Sequence, residues 1–212
     1  AALFNFDQTL KTGDFKRKDV AFIYKYDNTL MGVNITGKNL LAYMEWTVDY
    51  FQTAKEGDAT IAFNPEFRAY NYDMFSGINY EIDISKPAGS RITNATIKGK
   101  PVDPNAVYKM AVNNYRFGTL KSKGWAAEKD IYFTSVNDMP LTSTVRDLIV
   151  KYTQEELKGK LTPKCDNNWK ITGLPSTFND PATIAKIKSG EITIPASSDG
   201  RTPNVEAVKV SK

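Results

Sequence analysis

Two short runs in this 212-residue chain set an aromatic ring beside carboxamides where the backbone is expected to turn: Tyr26-Asp27-Asn28, and Asn113-Asn114-Tyr115-Arg116 at the end of an apolar run. A ring face can stack on a flat ligand, a contact worth roughly 1–3 kcal/mol per base in single-strand nucleic-acid binding. An amide offers both a donor and an acceptor to the ligand's edge. Tyr26, Asn28, Asn114, Tyr115 and Arg116 are therefore the candidate binding residues. A tyrosine at a strand end also serves packing alone, so the local sequence leaves both uses open.

What is missing narrows the chemistry further. The chain contains no histidine, which removes Ser-His-Asp triads, Cys-His pairs and HExxH zinc sites together. Carboxylate-only Mg²⁺ chemistry and paired-carboxylate glycoside hydrolysis stay open, yet the acidic residues show no cluster beyond pairs such as Glu155-Glu156. No phosphate-cradling glycine-rich loop is present. The single Cys165 can form no internal disulfide and has no imidazole to activate it. No catalytic residue, metal ligand or cofactor is assigned to this chain.

Twenty-eight basic against 24 acidic residues give a net charge of +4, and the basic residues are scattered. The densest run, Lys16-Arg17-Lys18, lies between Asp14 and Asp19 and reads as a solvated turn, so duplex nucleic acid is not an expected partner. No apolar run reaches the roughly 18 residues of a membrane helix. The chain opens without Met in Ala1-Ala2-Leu3-Phe4, which reads as the interior of a longer protein.

The elements that must position the candidates follow from periodicity. Asp19 to Tyr26 and Thr29 to Thr36 are β-branched and aromatic, and Tyr26-Asp27-Asn28 between them predicts a hairpin with Tyr26 at its tip. From Thr36, which can cap the free amides, Leu40, Leu41, Met44, Val48 and Phe51 mark one face of a helix ending before Gly57. Gly77 to Ile84 alternates, sending Ile78, Tyr80, Ile82 and Ile84 to one face. Further strands are expected at Arg91–Lys98, Val107–Val112 and Ile131–Thr134, with a turn at Gly99-Lys100. A second helix, capped by Thr142 or Ser143, carries Val145, Leu148, Ile149 and Tyr152 inward and stops at Gly159. Asp180-Pro181 opens a short helix that Gly190 ends, ahead of a Ser, Gly and Pro rich tail. The fold class is α+β, a layered α/β sandwich of mostly antiparallel strands with two main amphipathic helices.

Longer stretches carry a resemblance. Arg68-Ala69-Tyr70-Asn71-Tyr72-Asp73, then Gly77-Ile78-Asn79-Tyr80-Glu81-Ile82-Asp83, Arg91-Ile92 and Gly99-Lys100-Pro101-Val102-Asp103-Pro104 are followed by Asn113-Asn114-Tyr115-Arg116 and Asp166-Asn167-Asn168-Trp169. In order and spacing they resemble the C-terminal domain of bifunctional 2′,3′-cyclic-nucleotide 2′-phosphodiesterase/3′-nucleotidases, and Ala1-Ala2-Leu3-Phe4 is similar to that family's Ala-Ala-Pro-Phe. The resemblance covers residues 1–173, expected to form the nucleotide-recognition domain, with 174–212 as a packing segment of the same domain.

The resemblance implies that the base is clamped by two aromatics, here Tyr26 and Tyr115, with Asn28 at an amide position that contacts the base in the related 5′-nucleotidases. It also implies a parent hydrolase whose N-terminal metallophosphoesterase domain, the expected partner, supplies divalent metal ions, while this chain alone is inactive. An extracytoplasmic location, periplasmic, secreted or wall-attached, goes with it. Two departures stand out: Phe117-Gly118-Thr119-Leu120-Lys121 replaces the family's Gly-Gly turn, and Asp7 and Gln8 stand where the 5′-nucleotidase branch holds its ligand with arginines. The alternative is an extracellular carbohydrate-binding or adhesion module, which would also display rings and amides.

Overall fold

A computed structural model describes residues 11–211; the readings made on Ala1–Phe4, Asp7 and Gln8 lie outside the described residues. In chain order, a 3-10 turn precedes α1 (Val20–Ile23), β1 (Leu30–Thr36), α2 (Gly37–Thr47), β2 (Asn79–Asp83), β3 (Ile92–Ile97) and β4 (Lys100–Pro101). There follow β5 (Val107–Asn113), α3 (Asn114–Ser122), β6 (Ile131–Thr134), α4 (Ser135–Asp138), α5 (Val145–Glu155), β7 (Trp169–Thr172) and α6 (Pro181–Ser189). The expected α+β class is what the chain forms. The described residues divide into two compact units, one containing Leu41–Val102 with residues 166–211, the other containing residues 11–40 with Asp103–Cys165.

The first unit is built on a four-stranded sheet in the order β4-β3-β2-β7. Alternation along the central strand works as read: Ile78, Tyr80, Ile82 and Ile84 are buried, while Asn79 is exposed. Its β7 neighbour runs parallel, pairing Tyr80 with Trp169 through Asp83 with Thr172. That strand was not expected, because only four residues follow a turn-like Asp-Asn-Asn run. Tertiary bonds make it a strand: the Asn168 side-chain amide donates to the carbonyls of Phe75 and Ile78, both at 2.6 Å.

Arg91 closes this unit. Its side chain is buried, donating from Nη1 to the carbonyls of Val48 at 2.9 Å and Phe51 at 2.7 Å, and from Nε to Lys86 at 3.0 Å. Burial pulls its pKa down, with Asp49 and Glu45 opposing. The α6 helix forms as expected, with the Asp180 carboxylate accepting from Thr183 N at 2.8 Å and Gly190, at φ 79°, ending it.

The second unit is a three-stranded antiparallel sheet, β5-β1-β6. The central strand buries Met31, Val33 and Ile35. At Gly32 a Cβ would stand 2.6 Å from the tip of the half-exposed Tyr132 ring, so a side chain there would require that ring to shift. Thr36 caps α2 by accepting from Asn39 N at 3.3 Å.

The hairpin expected from Asp19 to Thr36 is corrected. Arg17–Asp19 forms a 3-10 turn and Val20–Ile23 a helical turn, so Tyr26 lies in a bend between α1 and β1. Both edges of β1 are taken by β5 and β6, which leaves no ladder for residues 19–26 to join. Within α1 only Val20 is buried, and Phe22 is exposed. The α5 helix also begins later than read, at Val145 with Thr144 as its cap, and Tyr152 is exposed and does not face inward.

Candidate functional site

The site residues gather where β1 and β5 end. Leu30 opposite Asn113 is the last pair of that ladder, and Asn114 extends it by one imitation rung. Its backbone N–H donates to the carbonyl of Thr29 at 3.0 Å, and its side-chain Oδ1 accepts from Thr29 N, also at 3.0 Å. The carboxamide of Asn114 thus fixes the residue after Asn28.

A second knot ties the same segments through a side chain. The hydroxyl oxygen of Tyr24 accepts from Asn28 Nδ2 at 2.9 Å and from Asn113 Nδ2 at 2.6 Å. The orientation of Asn113 is determined, because its Oδ1 caps α3 by accepting from Arg116 N at 2.7 Å, which leaves its NH₂ for Tyr24. The two runs singled out in the sequence, separated by some 85 residues, are joined at one end of one sheet.

Around this knot the two candidate rings are open: Tyr26 is 50% exposed and Tyr115 54%. Tyr115 lies just beyond the end of β5, in the first turn of α3, a helix that buries Phe117 and Leu120. Arg116 is buried, with its guanidinium 5.8 Å from the centre of the Tyr115 ring and Nη1 donating to Thr119 Oγ1 at 3.4 Å. It is placed to back the ring.

The loop that carries Tyr26 rests on the start of α5. Val145 N donates to the carbonyl of Asn28 at 2.8 Å, Thr29 bridges Thr144, and Arg146 reaches Lys25 and Asp27. Next along the helix, Asp147 accepts from the Thr144 hydroxyl at 2.7 Å and pairs with Arg17 at 2.8 Å. The Thr144 bond, followed by Arg17, holds the Asp147 carboxyl below the usual range. Beneath the loop, a cleft of about 220 Å³ is lined by Arg17, Val20, Asp27, Thr144, Arg146, Asp147 and Val150. Its two arginines face two carboxylates, and its lining includes neither tyrosine.

Sequence reasoning missed Tyr24, Asn113 in its double role, and the α5 contacts. Tyr24 was hidden inside the run read as a strand. The cap signal at Asn113 was available, but Gly118 and the polar residues of α3 obscure its period.

The arrangement is suited to bind and orient a planar ligand, with ring faces for stacking and amides for its edge. Among the described residues no group of three His, Cys, Asp or Glu is placed to hold a metal ion, and no helix is long and apolar enough to cross a membrane.

Comparison with known proteins gives the family. Residues 1–127 match the model of the 5′-nucleotidase C-terminal domain. The chain is 32% identical over 190 residues to the 2′,3′-cyclic-nucleotide 2′-phosphodiesterase/3′-nucleotidase of Haemophilus influenzae, covering 81% of this chain and 27% of that protein. It is 30% identical over 189 residues to the trifunctional nucleotide phosphoesterase protein YfkN of Bacillus subtilis, covering 82% of this chain and 12% of that protein. The chain therefore spans about a quarter or less of these relatives. A 5′-nucleotidase precursor structure from Thermus thermophilus shares the fold at a TM-score of 0.52 and 22% identity, over 76% of this chain and 28% of that one. On the family match and the extent of these identities, the chain belongs to the 5′-nucleotidase C-terminal domain family.

Proposed function

We propose that this domain recognises the nucleobase of a 2′,3′-cyclic nucleotide or 3′-nucleotide and presents its phosphate to a metal-dependent phosphoesterase domain. Tyr26 and Tyr115 provide stacking faces, Asn28 and Asn114 serve the base edge, and Arg116 backs Tyr115. The observation that supports this reading is the knot at Tyr24, which joins Asn28 to Asn113, each two residues from a half-exposed tyrosine, Tyr26 and Tyr115.

Family membership supports the substrate class, since the relatives named above are nucleotide phosphoesterases. Hydrolysis is assigned elsewhere. A chain with no histidine lacks the commonest side-chain ligand for a two-metal site, so we assign the divalent ions to a partner catalytic domain and route no chemical step through this one. An extracytoplasmic location goes with the same assignment.

The test is a titration of the 212-residue chain with adenosine and, separately, with ribose, followed by backbone amide shifts. Two stacked faces, less the cost of ordering ligand and loop, predict binding on the order of millimolar for adenosine. Shifts centred on Tyr26 to Asn28 and Asn113 to Arg116 with adenosine, and none with ribose, are expected. Equal responses to adenosine and ribose would favour the carbohydrate module instead.

A further inference from the structure

Arg146 is the second residue of α5, and its guanidinium spans the backbone around Tyr26. Nη1 donates to the carbonyl of Lys25 at 3.0 Å, and Nη2 is ion-paired with the Asp27 carboxylate. Those two acceptors flank Tyr26 on either side. The preceding residue of the helix adds a third hold, Val145 N to the carbonyl of Asn28 at 2.8 Å, using an amide that a helix start leaves without an intrahelical partner.

Exposure decides which contact matters. Asp27 is 75% exposed, so its ion pair alone contributes little. The Arg146 side chain is only 33% exposed, and a planar fork that holds a carbonyl and a carboxylate together fixes direction as well as distance. Asp147, the next residue, pairs with Arg17 at 2.8 Å. Two adjacent residues of α5, one cation and one anion, are thus each matched by an opposite charge on the segment from Arg17 to Asp27.

We infer that Arg146 is a positioning residue for base recognition: it holds residues 25–28 so that the Tyr26 ring is presented before a ligand arrives. The inference rests on the proposed base-binding role of Tyr26. A loop not held in this way must be ordered at the moment of binding, and that ordering lowers affinity.

The 212-residue chain and adenosine test it. Arg146→Met keeps the aliphatic stem and removes the fork; it is expected to weaken adenosine binding about three- to tenfold and to raise the fast motion of the Tyr26 amide in ¹⁵N relaxation. Arg146→Lys should recover part of the affinity. A lowered melting temperature with unchanged Kd and a rigid Tyr26 amide would mean that Arg146 serves stability alone, which overturns the inference.

Should Arg146→Met not fold, Arg146→Lys, which keeps the charge but not the fork, carries the test: a smaller loss in the same direction supports the latch, and an unchanged Kd with a rigid loop overturns it. Tyr26→Ala, run in parallel, separates the two levels. Weakened binding in Tyr26→Ala with wild-type affinity in Arg146→Met rejects the latch alone, whereas wild-type affinity in Tyr26→Ala rejects the base-binding role and the latch with it.

Discussion

In the unit built on the four-stranded sheet, rings meet rings: Tyr50 stacks on Phe63 at 4.6 Å between centroids and on Tyr72 at 5.2 Å, and Tyr80 stacks on Trp169 at 6.4 Å. In the unit built on the three-stranded sheet, Tyr26 and Tyr115 stand about half exposed, while the Asn114 carboxamide oxygen and the Arg146 guanidinium bond to the backbone near Tyr26. Tyr80 is buried against another ring in the first unit, whereas Tyr26 and Tyr115 are displayed in the second. Composition cannot tell these uses apart; what surrounds the ring does. A buried ring is surrounded by apolar neighbours, whereas a displayed one is supported by hydrogen bonds to its flanking backbone.

The largest expected effect breaks the first unit. Arg91→Met removes the bonds to the carbonyls of Val48, Phe51 and Lys86 and should cost on the order of 3 kcal/mol, because buried carbonyls lose a charged donor. Urea unfolding would show it as a lowered midpoint, while adenosine affinity below the transition stays unchanged. A loss below about 1 kcal/mol would mean that water replaces the guanidinium.

Next comes the displayed pair. In an enzyme that carries this domain beside its phosphoesterase domain, Tyr26→Ala or Tyr115→Ala should raise KM for 2′,3′-cyclic AMP about fivefold or more, from roughly 1–3 kcal/mol of lost stacking. Activity on a phosphodiester lacking a base should be retained, and Phe in place of either Tyr should be mild. Equal losses on both substrates would assign these tyrosines to folding.

These expectations also mark what could be read from residues alone. Alternation along Ile78–Ile84, the Asp180-Pro181 start and the Gly190 stop are local signals, and they were legible because nothing distant overrides them. The segment from Asp19 to Tyr26 has strand composition, yet its conformation is decided by β5 and β6 occupying both edges of β1, information held some 80–110 residues away. Likewise Tyr26, Asn28, Asn114, Tyr115 and Arg116 could be named as candidates from type and turn context. The hydroxyl of Tyr24 and the fork of Arg146 that hold them could not, because both act through long-range contacts.

A smaller effect concerns acid. Hydrogen bonding from Thr144 and pairing with Arg17 hold Asp147 below its ordinary 3.8 in the folded chain. Its contribution is therefore present in full above about pH 4 and lost as pH falls through the lower folded value. Asp147→Asn should be less stable than wild type at pH 6, and the difference in melting temperature should shrink as pH drops toward 2. A difference that stays constant with pH would exclude the carboxylate's charge as its source.

The smallest effect returns to the buried rings. The Tyr72 hydroxyl is buried with no hydrogen-bond partner among the described residues, and burial, with Tyr80 and Tyr50 nearby, pushes its pKa well up. Tyr72→Phe keeps the ring stack and removes an unpaired polar atom, so stability should be unchanged or rise by up to about 1 kcal/mol. A clear loss in calorimetry would reveal a partner for that hydroxyl, such as an ordered water.

The most direct measurement is of the ligand on the rings themselves. With saturating adenosine and the tyrosine ring protons assigned, nuclear Overhauser effects are predicted from the adenine H2 and H8 to the rings of both Tyr26 and Tyr115, and they should be absent with ribose. Contacts to only one of these rings, or to neither while adenosine still binds, would contradict the two-ring account of base recognition.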